Sequence, residues 1–524
     1  MPILFHHILS CSAQNHAKSV ALIHKKNTWS YQELNELTDR QALALQEIGL
    51  KPQARVGIFL PKQLETVSSF FSTAKAGGIF VPINPVLKPS QVEHILNDCS
   101  VQILITSASR LKVLSEKLSR CSSLTAIIIV ENKMPETISL SQSILTWNNF
   151  LSLAKDNSSY PQIIDTDIVA ILYTSGSTGK PKGVILSHRN IIAGTKSVSK
   201  YLNLTCYDRL LAVLPLSFDY GLNQLTTALY SGACCVMLDY LLPRDVIKTI
   251  EQNKITGVAG VPPLFAQISS LSWPESIKSH LRYFTNSGGK LAVSIINTLQ
   301  KQLPNVQLFL MYGLTEAFRS TYLLPEQLKN RPDSIGKAIP NAKILVVRKD
   351  GSLCNANEPG ELVHCGSLVS LGYWNNPEET AKRYKPVPTQ IHELPITETA
   401  VWSGDQVSFD DEGYLYFIGR DDEMIKTSGY RVSPTEIEDE LYASGLVKEA
   451  VALGIKHETL GQTIHVFVTG KNSNCNCQLD LLSYCKEKLP NYMVPENITV
   501  LDAFPKNANG KIDRVALTSS SIYE

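Results

Sequence analysis

The segment Asp167-Ile-Val-Ala-Ile-Leu-Tyr-Thr-Ser-Gly-Ser-Thr-Gly-Lys-Pro-Lys-Gly-Val184 carries side chains suited to one kind of chemistry, the holding of a multiply charged anion. An apolar run of strand length ends at Tyr173. Thr174, Ser175, Ser177 and Thr178 then supply hydroxyl donors, and Lys180 and Lys182 supply positive charge. Gly176, Gly179 and Gly183 let the backbone turn tightly enough to aim successive N–H groups at one ligand. A polyphosphate fits such a loop. The spacing is not that of Gly-x-x-x-x-Gly-Lys-[Ser/Thr], so the GTPase type of phosphate loop is excluded. Taken alone, the segment also reads as a flexible Ser/Gly connection between strands.

Four further segments carry chemistry: Met311-Tyr-Gly-Leu-Thr-Glu316, Trp402-Ser-Gly-Asp405, Gly419-Arg-Asp-Asp422 and Asn509-Gly-Lys-Ile-Asp-Arg514. Together with the hydroxyl-rich loop, in this order and spacing, they resemble the adenylate-forming superfamily. Its members are acyl-CoA synthetases, peptide-synthetase adenylation domains and firefly luciferases, and the resemblance covers nearly the whole chain. It implies an enzyme that uses ATP and Mg²⁺ to turn a carboxylate into an acyl-adenylate, with release of pyrophosphate, and then passes the acyl group to a thiol. Two anions must be brought together for the first step, which asks for cations and oriented donors at the developing charge.

By that resemblance, Thr174, Ser175, Gly176, Ser177, Thr178, Gly179 and Lys182 hold the β- and γ-phosphates, and Thr315 contacts the α-phosphate. Glu316 ligates Mg²⁺, a hard ion suited to one carboxylate plus phosphate oxygens. Tyr312 stacks on adenine, with Ser287, Gly288 and Gly289 as the opposite wall. Asp405 accepts from both ribose hydroxyls and Arg420 supports the same sugar, while Met311, Gly313 and Phe417 complete the nucleotide set. Lys511 is the mobile catalytic lysine, which stabilises the transition state beside Thr315 and Glu316. Asp422 is the hinge about which the C-terminal unit rotates, bringing Ser428, Gly429 and Tyr430 to a thiol tunnel.

For the acid, Leu214-Pro-Leu-Ser-Phe-Asp-Tyr-Gly221 places Phe218-Asp219 where peptide-synthetase adenylation domains carry Phe-Asp, the Asp pairing with a substrate ammonium. The implied acid pocket is Phe218, Asp219, Tyr220, Asn223, Gly260, Thr285, Ser287, Met311, Arg319 and Ser320. Asp219 points to an amino acid, with proline a first guess by analogy; a helix-capping or solvated Asp is the plainer alternative. Arg319 fits that picture poorly, because a second cation suits an acidic substrate or a phosphate. The segment Asp422–Glu438 is more like acyl-CoA synthetases. The expected reaction is therefore amino-acid activation followed by loading of a phosphopantetheinyl carrier protein in trans. A fatty or aryl acid with free CoA is the alternative. The family pattern fills the chain to within about ten residues of its end, so no attached condensation or carrier domain is expected.

These residues must be carried by elements legible in the hydrophobic pattern. Strand-length runs such as Val56–Leu60, Val101–Thr106 and Leu210–Leu214 alternate with helical stretches such as Tyr31–Ile48 and Leu64–Ala76. That alternation predicts an α/β fold, with helix-covered parallel sheets in an N-terminal unit of residues 1–421. The Gly-, Pro- and aromatic-rich stretch 358–416 predicts turns and short strands in a small β unit at its end. Residues 422–524 predict a separate, mobile α+β unit carrying Lys511. The 524 residues are long enough for such a division, and 44% hydrophobic against 19% charged residues excludes disorder. A net charge of +1 offers no footprint for nucleic acid. No apolar run reaches the roughly 18–20 residues that span a bilayer. The N-terminus lacks a basic region and a cleavage site, and the 11 scattered cysteines suit reduced thiols, so a cytoplasmic location is expected.

Overall fold

In the computed structural model, residues 1–134, 140–155, 159–174, 181–388, 397–420, 423–427, 430–457, 461–470, 477–489 and 491–519 are described. The strands Arg55–Phe59, Ile79–Pro82, Ile103–Thr106 and Ala126–Ile129 are short, largely apolar and almost wholly buried, as parallel strands covered on both faces must be, and Ser143–Thr146 beside them is a more exposed edge. They form a seven-stranded sheet with Ile168–Thr174 and Lys182–Ser187 at one edge. Only that edge hairpin is antiparallel, and it sets Thr174 opposite Lys182 in register. The predicted phosphate loop thus joins the two strands of this hairpin, and its residues 175–180 lie outside the described residues.

A second sheet contains the parallel strands Arg209–Ala212, Gly257–Gly260, Tyr283–Asn286 and Gln307–Tyr312, neighbours in space. At Thr321–Leu323 it turns antiparallel, and it continues without a break through Leu415–Arg420, Thr399–Phe409 and Gly360–Gly366. Here the short strands expected for 358–416 are corrected. Thr399–Phe409 spans 11 residues, and the small β unit at the end of the large domain is a continuation of its main sheet. Its Gly and aromatic residues had masked the alternating burial along that strand.

Between the two sheets lie the helices Tyr31–Glu47, Leu64–Lys75, His188–Tyr201 and Asp219–Tyr230. Their aromatic contacts include Phe5 on Phe71, at 4.6 Å between centroids, and Phe70 on Phe80, at 5.0 Å. Ser30 and Glu33 form a capping box at the start of Tyr31–Glu47. The Tyr31 hydroxyl, deep in the core, donates to the Ala233 carbonyl at 2.6 Å. Among the described residues the cysteines are unpaired, with Cys234 and Cys235 buried in a strand.

Beyond residue 422, the strands Val447–His457, Gly461–Gly470 and Asn497–Leu501 build a separate sheet with its own apolar core, covered by Pro434–Ala443 and Cys477–Lys488. Glu438 and Arg514 pair at 2.6 Å, and Arg514 also donates to the Ala452 carbonyl at 3.0 Å, fastening the C-terminal segment to this sheet. Across to the rest of the chain, Lys290 lies 2.6 Å from Asp439 and 3.1 Å from Asp333. The Asn84 amide donates to the Ala508 carbonyl at 2.8 Å.

The turn into Asp219–Tyr230 passes so close to Leu214-Pro215 that a Cβ on Gly221 would fall 2.0 Å from the Pro215 carbonyl oxygen. Gly221→Ala must move the helix or the turn, at a cost of about 1–3 kcal/mol. Urea unfolding followed by circular dichroism is expected to show a lowered midpoint; an unchanged midpoint would mean the turn is not packed this tightly.

Candidate active site

The C-terminal ends of parallel strands are where an open α/β sheet leaves backbone groups for a ligand. Four neighbouring strands end together here. Arg209–Ala212 leads to Phe218-Asp219, Gly257–Gly260 ends at Gly260, Tyr283–Asn286 leads to Ser287-Gly288-Gly289, and Gln307–Tyr312 leads to Thr315-Glu316. The long strands Thr399–Phe409 and Leu415–Arg420 set Asp405 directly opposite Arg420.

Lys511 reaches this place on a tight turn. Asn507 Oδ1 accepts from the backbone N–H of Asn509 (3.0 Å) and of Lys511 (3.1 Å), Asn507 N–H donates to the Lys511 carbonyl (2.7 Å), and Gly510 supplies the positive φ of +80°. The ammonium stands 5.2 Å from the centre of the Phe218 ring, a cation–π contact. Burial lowers its pKa from the ordinary value; Asp219 and Asp405 oppose that, whereas Arg420 and Arg319 add to it. Gly288, at φ +80°, makes room: a Cβ there would lie 2.8 Å from Lys511 Cε.

Asp405 is buried. The Tyr312 hydroxyl donates to Oδ2, while Arg420 Nε sits 3.1 Å from Oδ1 without hydrogen-bond geometry, so that oxygen lacks a donor. Burial raises this carboxyl's pKa, and Arg420 and Tyr312 restrain the rise. The Tyr312 ring leans on Phe417, with centroids 6.3 Å apart. Glu316 accepts from the Tyr373 hydroxyl at 2.6 Å, and Ser370 N–H donates to its carbonyl at 2.8 Å. Lys182, the first residue of the strand Lys182–Ser187, pairs with Glu379 at 2.6 Å. That pairing, with Lys382, brings the Glu379 carboxyl down to about 2.

At the predicted acid pocket, Asp219 is the first residue of the helix Asp219–Tyr230 and is buried. Arg319 Nη1 donates to its Oδ2 at 3.0 Å, and Thr315 Oγ1 lies 3.4 Å from its Oδ1. The carboxylate expected to pair with a substrate ammonium is therefore already half of an ion pair with Arg319, since an unpaired buried charge is costly. The Arg319 guanidinium lies over the Tyr220 ring at 4.5 Å. Tyr220 in turn donates to the Thr285 carbonyl at 2.7 Å. Met311 takes a contact from the Tyr201 hydroxyl at 2.9 Å, and Ser320 Oγ lies 2.9 Å from Nδ1 of His364, whose pKa burial lowers to about 3. Gly260 faces Phe265, whose ring a Cβ would approach to 2.8 Å.

The structure thus gathers Thr315, Asp405, Arg420, Lys511, Phe218, Asp219 and Arg319 about one centre. Ser175, Gly176, Ser177, Thr178, Gly179, Lys180, Asp422, Ser428 and Gly429 lie outside the described residues, and Tyr430 is described only as backbone in Tyr430–Val432. Sequence reasoning missed Tyr373, Glu379, Asn84 and Lys290. Each is a common residue type in an unremarked context, and its partner lies far away in sequence.

Residues 9–374 match the family model described as AMP-binding enzyme, and residues 436–511 match the AMP-binding enzyme C-terminal domain. The chain belongs to the AMP-binding enzyme family. This AMP-binding enzyme is 29% identical over 502 residues to gramicidin S synthase 2 of Aneurinibacillus migulanus, covering 95% of this chain and 11% of that protein. It is likewise 29% identical to tyrocidine synthase 1 of Brevibacillus parabrevis, covering 98% of this chain and 44% of that one. The chain therefore spans only part of the length of these relatives. Among solved structures, the anthranilate CoA ligase AuaEII in complex with anthranoyl-AMP superposes with a TM-score of 0.88 at 25% identity, over 99% of this chain and 98% of that one. ATP-bound MatB from Rhodopseudomonas palustris, at 22% identity and TM-score 0.86 over the whole of both chains, shares the fold.

Gly288→Ala places a methyl group against Lys511. Mass-spectrometric footprinting with an amine-acylating reagent is expected to show Lys511 several-fold more reactive than in the unaltered protein, with Lys290 unchanged. Equal Lys511 labelling would show that the loop, rather than the lysine, gives way.

Proposed function

We propose that this enzyme uses ATP and Mg²⁺ to activate the carboxyl group of a small amino acid as an aminoacyl-adenylate, then transfers it to the phosphopantetheine thiol of a separate carrier protein. The observation that carries the reading is the buried Lys511 ammonium over the Phe218 ring, near enough to Asp219 and Asp405 that both carboxylates favour its charge. One carboxylate stands on the side of the acid and the other on the side of the nucleotide. Asp405 Oδ1, buried without a hydrogen-bond donor, suits a ribose hydroxyl. Among the described residues no three His, Cys, Asp or Glu side chains cluster as a metal cage. Glu316 would hold Mg²⁺ largely through phosphate and water oxygens, and the ion would spread the phosphate charge.

In the first half-reaction the substrate carboxylate oxygen bonds to the α-phosphorus and the bond to pyrophosphate breaks. Negative charge grows on the α-phosphate, where Thr315 and Lys511 would meet it. Arg420 and Asp405 orient the sugar, and Tyr312 and Phe417 flank the base. The substrate ammonium would take Asp219 Oδ1, whose neighbouring donor is the distant Thr315 hydroxyl. Rotation of residues 422–524 about Asp422 would then withdraw Lys511 and open the way to the thiol, with Ser428, Gly429 and Tyr430 brought alongside.

A second reading has its own support. Arg319 beside Asp219 opposes an ammonium, which favours an acid without one and free CoA as acceptor, in keeping with the likeness to an aryl-CoA ligase. ATP–pyrophosphate exchange with proline and other amino acids, fatty acids and aryl acids separates the two. Amino acids are expected to stimulate exchange, and stimulation by fatty or aryl acids alone would sink the first reading. Asp219→Asn, which still accepts from Arg319, is expected to lose amino-acid exchange by about 10-fold or more.

Lys511→Ala is expected to lower exchange about 10²–10³-fold while leaving thioester formation from supplied acyl-adenylate intact. Equal loss of both half-reactions would refute the division of labour. The pH dependence has a fixed sign. A lysine whose pKa lies below the ordinary value loses its charge at lower pH, so exchange should decline on the alkaline side earlier than a solvent-exposed lysine would dictate.

A further inference from the structure

Arg319 is 2% exposed, and only one of its nitrogens is used. Nη1 donates to Asp219 Oδ2 (3.0 Å) and to the Phe318 carbonyl (2.9 Å), while Nε and Nη2 have no partner. Those two nitrogens form one edge of the planar guanidinium, a ready-made fork for two oxygens of a single group. One helical turn beyond Asp219, Asn223 is fully buried, and neither its amide oxygen nor its amide nitrogen is hydrogen-bonded. Each such buried polar atom left without a hydrogen bond has lost its hydration with nothing in return.

The backbone that presents Arg319 is also strained. Phe318 lies at φ +58°, ψ −38°, inside a three-residue turn closed by Arg319 N–H to the Ala317 carbonyl at 2.6 Å. A bulky side chain adopts this left-handed conformation only when its surroundings impose it. Gly194 accommodates it, since a Cβ there would lie 2.4 Å from the Phe318 ring. Strain together with unsatisfied polar atoms, all beside the carboxylate proposed for the substrate, is what a site shaped for an absent polar group looks like.

We infer that the activated acid carries a second carboxylate, bound by the Nε/Nη2 edge of Arg319 with Asn223 as a further hydrogen-bonding group. The inference rests on the proposed acid-activating role of this site and sharpens it to acidic amino acids of the aspartate or glutamate type. Charges then alternate: Asp219 with the substrate ammonium, Arg319 with the side-chain carboxylate. Proline, which has no second acceptor, would leave Arg319 and Asn223 as unsatisfied as they are in the free protein.

The test is ATP–pyrophosphate exchange over a set of acids that varies ammonium and second carboxylate independently: aspartate and glutamate, succinate and glutarate, valine and proline, and butyrate. Aspartate or glutamate is expected to exceed valine and proline in kcat/KM by about 10²-fold or more, because a site built to hydrogen-bond a substrate group rejects analogues that lack it. Arg319→Lys keeps a cation beside Asp219 but removes the fork. It is expected to raise KM for the favoured acid about 10-fold or more, with KM for ATP unchanged. Valine, proline or butyrate outpacing the acids with two carboxylates would overturn the inference. So would an Arg319→Lys variant that weakens every acid and ATP alike, the mark of a purely structural role. Succinate and glutarate exceeding their amino counterparts would instead remove the ammonium assignment to Asp219 and leave the role of Arg319 standing.

Discussion

The site depends on a single flexible side chain being carried to a point it could not reach from its own sheet. The Lys511 ammonium is drawn in by Asp219 and Asp405 and resisted by burial and by two arginines. Everything around it answers that tension. The Asn507 side chain stiffens the turn, Gly288 gives up its side chain, Phe218 offers the face of its ring, and Asn84 holds the neighbouring backbone. An ATP phosphate entering the centre would relieve the surplus of positive charge, which is why the arrangement suits an anionic ligand.

The two sheets supply the fixed side of this arrangement through an old property of parallel strands. Their C-terminal ends lie in one row, so residues from 209 to 316 converge although more than a hundred positions separate them. The antiparallel continuation of the same sheet then brings Asp405 and Arg420 to face that row. A sheet that changes from parallel to antiparallel can thus place the groups proposed for the acid and for the nucleotide side by side without a flexible connection.

Much of this was legible in the sequence, because chemistry-bearing residues cluster in short segments and buried parallel strands announce themselves as apolar runs. The helices Tyr31–Glu47 and Leu64–Lys75 lie within a residue of their expected limits. The segment 358–416 was read too locally, since turns between long strands look like turns between short ones. Pairs such as Lys182 with Glu379, Glu316 with Tyr373 and Asp219 with Arg319 join residues far apart in sequence, and no local pattern announces them. Arg319 was visible as a cation in an awkward place; that its charge is spent on Asp219 while one edge stays free is a fact of three-dimensional packing alone.

The pairing of Glu438 with Arg514, three residues past Lys511, has a consequence for timing. It fastens the lysine's turn to the body of the C-terminal sheet, so the turn cannot swing as an independent flap. Any excursion of Lys511 beyond the reach of its own rotamers drags about a hundred residues through solvent. Such movement belongs to the microsecond-to-millisecond range of rigid bodies rather than the nanoseconds of a side chain. The charge at the centre of the site therefore keeps the slow clock of a whole folded unit.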